Sequence, residues 1–292
     1  MEIALQLIVN GLLIGGVYAL ISVGLTLIFG VMNIINFAHG DFLMIAMYMV
    51  YWLNRLLGMD PYVALIIVVP IMFLIGLGIY KLNLNPIIGK QELLTILMTV
   101  GIMIFLQNLA LMLFNADVRG LSIPYIYSTI GTEYVRMGVT KVASFALAII
   151  AAIFLLLLLD KTWIGKSIKA TSQNAEAAKL MGIDTRKTYM IAFAIGIATV
   201  GAAGVALAPI YSIHPHVGAQ FGTLSFVVVV LGGLGNVTGA VVGGLIIGLI
   251  SAASSFFLPS GYTEAVYLFI FLLVLLFKPN GLFGRTRAGG GR

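Results

Sequence analysis

Cysteine is absent from this chain of 292 residues. That excludes a disulfide framework, a thiolate metal site and a cysteine nucleophile. Charge is scarce too: Asp, Glu, Lys and Arg make up 9% of the residues, against about 25% in soluble domains. So few charges do not cover a folded surface in water, so the solvent of this chain is lipid. No polar block is long enough to form a separate soluble domain. The pattern G-x-x-x-x-G-K-[ST] does not occur, so the chain has no phosphate-cradling loop for ATP. Neither H-E-x-x-H nor a Ser-His-Asp arrangement is visible, and the embedded carboxylates are too few for a paired acid–base site. No catalytic residue is assigned, and the chain is not expected to be an enzyme. The N-terminal residues carry no basic region and no small-residue cleavage site. The apolar run from Ile3 to Gly30 is too long for a signal peptide and reads as a retained span.

Hydrophobic residues make up 61% of the chain, and the mean hydropathy is +1.12. A helix needs roughly 20 apolar residues to cross a bilayer. Candidate spans are 4–30, 41–57, 61–80, 93–114, 138–160, 188–209, 221–235, 239–258 and 263–278. The fold class is all-α: a polytopic transmembrane helical domain of about 8–10 spans, broken or re-entrant segments included. One integral membrane domain covers 1–284, followed by a short basic, Gly-rich tail at 285–292.

The net charge is +6, and the cations cluster in a central island, 160–187, and near the C-terminus. The positive-inside rule makes both regions cytoplasmic in the inner membrane. Alternation then puts 81–92 inside, and 115–137, His214 to Gln220 and the N-terminus outside. No basic patch lies away from the membrane flanks, so no nucleic-acid partner is expected. His214 and His216, around Pro215, read as solvated loop residues or as a contact for an external protein.

Two interrupted segments stand out. FGVMNIINFAHGD places Asn33, Asn36, His39 and Asp41 inside a long apolar block. LGGLGNVTGAVVGG contains Gly232, Gly233, Gly235 and Asn236. Backbone freed at membrane depth must line water or protein, so such breaks point to a translocation pathway. Other readings stand beside this one. His39 and Asp41 can instead sit at the interface, with Asp41 as N-cap of the next helix. The asparagines can join helices, and the glycines can serve packing alone. Two ligands are too few for a metal site.

The island, DKTWIGKSIKATSQNAEAAKLMGIDTRK, has more order than an ordinary basic loop. Asn174 can N-cap a short helix. Glu176 then sits at its positive end. Ala175, Ala177 and Ala178 favour helix and allow close approach. Gly182 suits a left-handed stop, and Asp184 can cap the next helix. A short helix lying across the membrane face is a surface for another protein.

EAA followed three residues later by Gly, at Glu176–Gly182, resembles the coupling motif of ABC importer permeases. The I-x-L-P usual downstream of it is missing. GLLIGGVYALISVGLTLIFGVMNIINFAHGDFLMIAMY, VVVVLGGLGNVTGAVVGGLIIG and KPNGLFG resemble the N-terminal, C-terminal and closing segments of branched-chain amino acid permeases of the LivH type. The resemblance covers nearly the whole chain. It implies a homologous second permease subunit, two cytoplasmic ABC ATPase subunits and an external solute-binding protein, all working in the lipid bilayer. It implies no cofactor, because ATP is used by the partner subunits. The coupling residues it points to are Gly165, Lys166, Glu176, Ala177, Ala178 and Gly182. The cargo it implies is a branched-chain or related small neutral amino acid, with specificity residing mainly in the binding protein. Importers of urea and short amides share these motifs. A self-sufficient channel or secondary carrier, and a scaffold subunit without transport, are the remaining alternatives.

Overall fold

Each apolar run of the sequence becomes one helix in the computed structural model, which describes residues 2–132 and 135–284. The tail at 285–292 and Glu133 of the 115–137 loop lie outside the described residues. The helices are α1 (Glu2–Met32), α2 (His39–Leu57), α3 (Leu65–Ile79), α4 (Glu92–Phe114) and α5 (Val139–Lys161). Two short helices, α6 (Trp163–Gln173) and α7 (Ala175–Leu180), fold the island. Then follow α8 (Thr185–Leu207), α9 (Val217–Gly232), α10 (Val237–Phe257) and α11 (Thr263–Phe277). A π-helical turn, Tyr80–Leu84, extends α3. Among the described residues, 6 helices are long and apolar enough to cross a membrane, and α9 and α11 are shorter apolar helices. A small antiparallel hairpin, β1 (Thr129–Gly131) and β2 (Arg136–Gly138), precedes α5. The fold is thus an all-α polytopic membrane domain.

α1 and α8 are apolar on all sides, and both are buried along most of their length. A helix that is hydrophobic all round belongs in the interior or in lipid. These two form the centre, whereas α3, α4 and α5 expose most of their surface. The seam of α1 with α10 is built from small residues at every fourth position. Gly11, Gly15 and Ala19 of α1 face Ala252, Gly248 and Gly244 of α10, running antiparallel. A Cβ at Gly248 would lie 2.3 Å from the Gly15 Cα, so the two backbones touch. Lipid tails are as apolar as leucine, so membrane helices associate through such close packing.

The ends of the helices define two faces. Gln6 of α1 binds the backbone of Arg136 in the hairpin, and Arg119 pairs with Ile213 in an isolated antiparallel bridge. These residues mark the hairpin face. Val31, Leu159, Ile168 and Ala240 share a small core at the other end, beneath the island.

Candidate functional site

The local signals of the island fold as the sequence predicts. Asn174 Oδ1 accepts from the Ala177 N–H at 3.0 Å, and Asp184 Oδ1 accepts from the Lys187 N–H at 3.1 Å. That bond holds the Asp184 carboxyl below the usual carboxylate range, aided by the Lys187 ammonium. Gly182 has φ +85°. Its N–H donates to the Lys179 carbonyl and the Ile183 N–H to the Ala178 carbonyl, both at 3.0 Å. This double bond pattern is a Schellman stop. Ala178 is buried beneath α7, while Glu176, Ala177 and Lys179 face outward.

α6 is positioned by an elbow that the sequence reasoning did not resolve. Thr162 ends α5 and caps α6: its Oγ1 donates to the Leu158 carbonyl at 2.6 Å and accepts from the Gly165 N–H at 3.1 Å. Gly165 is buried against the end of α5, and Lys166 beside it is exposed. Lys169 on α6 pairs with Asp160. Trp163, Ile164, Leu180 and Met181 carry no comparable local signal in the sequence. All are exposed, Leu180 at 89% and Met181 at 83%. Trp163, Ile164 and Met181 line a groove of about 230 Å³ between α6 and the α7–α8 turn. The signal for α6 was present in WIGKSIKATSQ, whose Gly165, Ile168 and Thr171 share one buried face.

Gly182→Val tests the α7 stop. A Cβ at Gly182 meets nothing within 4 Å, so the penalty is purely conformational. It amounts to about 1–2 kcal/mol for an L-residue, and more for a β-branched one. The variant is expected to keep the thermal melting of the membrane helices and to lose substrate-stimulated ATPase activity in the assembled complex. Normal stimulation would sink the assignment.

The first interrupted segment is a true break. Asn33 adopts φ +53° and ends α1, its N–H donating to the Phe29 carbonyl at 2.8 Å. The chain then climbs back, and α2 opens beside Ile21 and Gly24, roughly 16 Å up α1 from Met32 by helical rise. The His39 Nε2–H donates to the Ile21 carbonyl at 3.0 Å; a carbonyl only accepts, which sets the tautomer. His39 Nδ1 and Asn36 Nδ2 are buried and, among the described residues, have no hydrogen-bond partner. Asn33 is exposed.

Asp41 is 1% exposed and accepts from Gln107 Nε2 of α4 at 3.0 Å. The sequence suggested Asp41 as N-cap of α2. The structure corrects this: Ala38 is the N-cap, and Asp41 lies in the first turn. The reason is tertiary. The first turns of α2 and α9 cross here, at Gly40 against Gly218 and Gly222. Asp41 Oδ1 lies 2.7 Å from where a Gly218 Cβ would be, so its carboxylate sits at two positive helix ends at once.

The second interrupted segment lies elsewhere. Gly232 and Gly233 end α9, and Asn236 caps α10 by accepting from the Gly239 N–H at 3.0 Å. The Leu282 and Phe283 N–H groups donate to the Leu231 and Gly232 carbonyls, and Asn236 Nδ2 donates to the Phe283 carbonyl at 2.9 Å. The KPNGLFG segment thus closes over this turn. The two breaks approach each other at Gly30 and Gly235, where a Cβ on either would lie 3.2 Å from the other's Cα. The structure does not bring Gly232–Asn236 next to His39 and Asp41.

A buried N-terminal break, a capped island and a sealed α9–α10 turn are distributed over the whole chain, and so is its similarity to known proteins. The family described as "Branched-chain amino acid transport system / permease component" matches residues 7–277. This chain belongs to that family. It is similar to the high-affinity branched-chain amino acid transport system permease protein LivH of Escherichia coli K12, 30% identical over 96% of each chain. BraD of Pseudomonas aeruginosa, a permease protein of the same description, is also 30% identical over 96% of each chain. A probable LivH of Methanocaldococcus jannaschii is 29% identical over 96% of this chain and 92% of its own. No solved structure matches. As a member of this family the chain is a membrane permease component of an ABC transporter, and the branched-chain assignment is favoured over urea, amides or a free-standing channel.

Proposed function

We propose that this permease imports branched-chain or closely related neutral amino acids. A homologous permease chain, two cytoplasmic ATPase subunits and an external binding protein complete the machine, in the inner membrane. One observation carries the reading: the permease family spans residues 7–277 of a chain without an ATP-binding loop. ATP hydrolysis then falls to separate subunits that dock on the cytoplasmic side. The island suits docking, because Trp163, Ile164, Leu180 and Met181 form an exposed apolar surface ringed by Lys166, Lys179, Arg186 and Lys187. Large exposed apolar groups with a polar rim mark protein interfaces.

Charge supports the same orientation. Lys81, Lys90, Lys161, Lys166, Lys169, Lys179, Arg186, Lys187 and Lys278 lie toward the island face; Arg55, Arg119, Arg136 and Lys141 lie toward the hairpin face. The positive-inside rule makes the island face cytoplasmic, with the C-terminus there and the N-terminus outside. ATP-driven closure of the ATPases moves α6 and α7, with Gly165, Lys166, Glu176, Ala177, Ala178 and Gly182 as the coupling surface. Motion reaches the pathway through the break at Asn33, Asn36, His39 and Asp41. The turn at Gly232, Gly233, Gly235 and Asn236 carries α9 and α10 together with the C-terminal segment.

A single cysteine at Lys179 tests this, since the chain has no native cysteine. It is expected to crosslink to the ATPase and to react with reagent only from the cytoplasmic side. Proteoliposomes holding the complex are expected to take up leucine only with ATP and binding protein. Labelling of Lys179→Cys solely from outside intact cells would end the reading.

A further inference from the structure

Besides the groove at the island, two larger open recesses among the described residues differ in their chemistry. One, of about 630 Å³ among α2, α3 and α4, is lined by apolar side chains such as Ile45, Leu53, Leu56, Ile71, Leu109 and Leu113. Lipid chains satisfy such a lining. The other, of about 850 Å³, lies among α1, α5, α9, α10 and α11 toward the hairpin face. Small-molecule sites occupy roughly 300–1,000 Å³.

The inner part of this second recess carries hydroxyls. Tyr18 Oη and Tyr211 Oη share a hydrogen bond at 2.9 Å. Tyr267 is 3% exposed and Ser251 8%; Glu264 lies beside the Tyr267 hydroxyl and Ser251 beside that of Tyr18, yet neither Tyr267 Oη nor Ser251 Oγ completes a hydrogen bond of good geometry among the described residues. An unmet buried hydroxyl is unfavourable, and lipid supplies no partner for it. Lys141 and Glu264 also line the recess. Lys141 Nζ reaches Asn10 Oδ1 at 3.5 Å, and the described ion pairs join neither Lys141 nor Glu264 to a partner. Ile14, Leu224 and Phe256 supply apolar wall between these polar groups.

Opposite charges held apart beside unmet hydroxyls and an apolar wall complement a zwitterion with an aliphatic side chain. We propose that this recess is a substrate site of the permease itself: Glu264 receives the α-ammonium group, Lys141 the α-carboxylate, and Tyr267 and Ser251 hydrogen-bond the headgroup. The proposal rests on the amino-acid import reading above. It departs from the expectation that selection resides mainly in the binding protein, because the permease would itself check for both charged ends.

The test uses the complete complex in proteoliposomes without binding protein, with Ser255→Cys as reporter on the exposed rim of the recess. The rate at which a small water-soluble maleimide modifies this chain is read by mass spectrometry. Leucine is expected to slow modification at least about fivefold at saturation, whereas leucinamide and N-acetyl-leucine, each lacking one charge, leave it unchanged. Adding E264Q is expected to raise the half-protecting leucine concentration about tenfold or more, and Y267F by a smaller factor, with uptake-independent folding checked by melting. Equal protection by N-acetyl-leucine, no protection by leucine, or a thiol that never reacts overturns the site. ATP-driven leucine uptake with binding protein present is measured separately. Uptake without protection overturns this site alone. Protection without any ATP-driven uptake overturns the proposed function and leaves an amino-acid site standing.

Discussion

Gly40→Ala is expected to cause a large loss of stability and of transport. A Cβ there would lie 1.9 Å from the Gly218 carbonyl oxygen and 2.5 Å from the Gly222 nitrogen. Both are backbone atoms of α9, so no side chain can rotate away. The first turns of α2 and α9 must part, and that separates Asp41 from the α9 N-terminus it faces. Overpacking costs about 1–3 kcal/mol where neighbours can adjust, and more where they cannot. A loss of about 3 kcal/mol or more is expected, seen as a lower melting temperature in detergent and loss of uptake. Gly101→Ala in α4 is the control. Its Cβ meets nothing within 4 Å, and alanine favours helix by about 1 kcal/mol over glycine. Wild-type melting and uptake in Gly40→Ala would show that the crossing of α2 and α9 is not as close as described.

Gly165→Ala acts at the elbow rather than in the centre. The added Cβ would lie 2.3 Å from the Leu159 carbonyl oxygen and 2.4 Å from that of Leu158. α6 must lift away from the end of α5, and the Thr162 cap loses its geometry. The spans do not run through this elbow, so melting of the membrane domain is expected to change little. Transport coupling is expected to fall by about tenfold or more, corresponding to roughly 1.4 kcal/mol of misdocking. Uptake and substrate-stimulated ATPase activity of the assembled complex read the effect. Coupling at the wild-type level, with the ATPase still bound, would remove α6 from the proposed mechanism.

Some of this chain is legible without coordinates, and the reason is locality. Apolar run length marks every candidate span from 4–30 to 263–278, and each corresponds to a helix, because in lipid only a helix satisfies its own backbone over such a run. Asn174, Gly182 and Asp184 act as read, since a cap involves bonds only a few residues away. The resemblance carried by EAAKLMG, the two long signatures and KPNGLFG likewise needs only residue order. What only the tertiary structure decided involves residues distant in sequence. Asp41 is a good N-cap by residue type, yet α2 opens at Ala38 because Gly40 must lie on Gly218 and Gly222. The glycines of Gly232–Asn236 mark a break by residue type, and only the fold pairs the Leu231 and Gly232 carbonyls there with the Leu282 and Phe283 amides. Tyr18, Lys141, Tyr211, Ser251, Glu264 and Tyr267 are scattered single polar residues in the sequence, and packing of separate helices sets them around one recess. Run length and capping are properties of neighbours along the chain, whereas burial, depth and shared cavities depend on which helices touch.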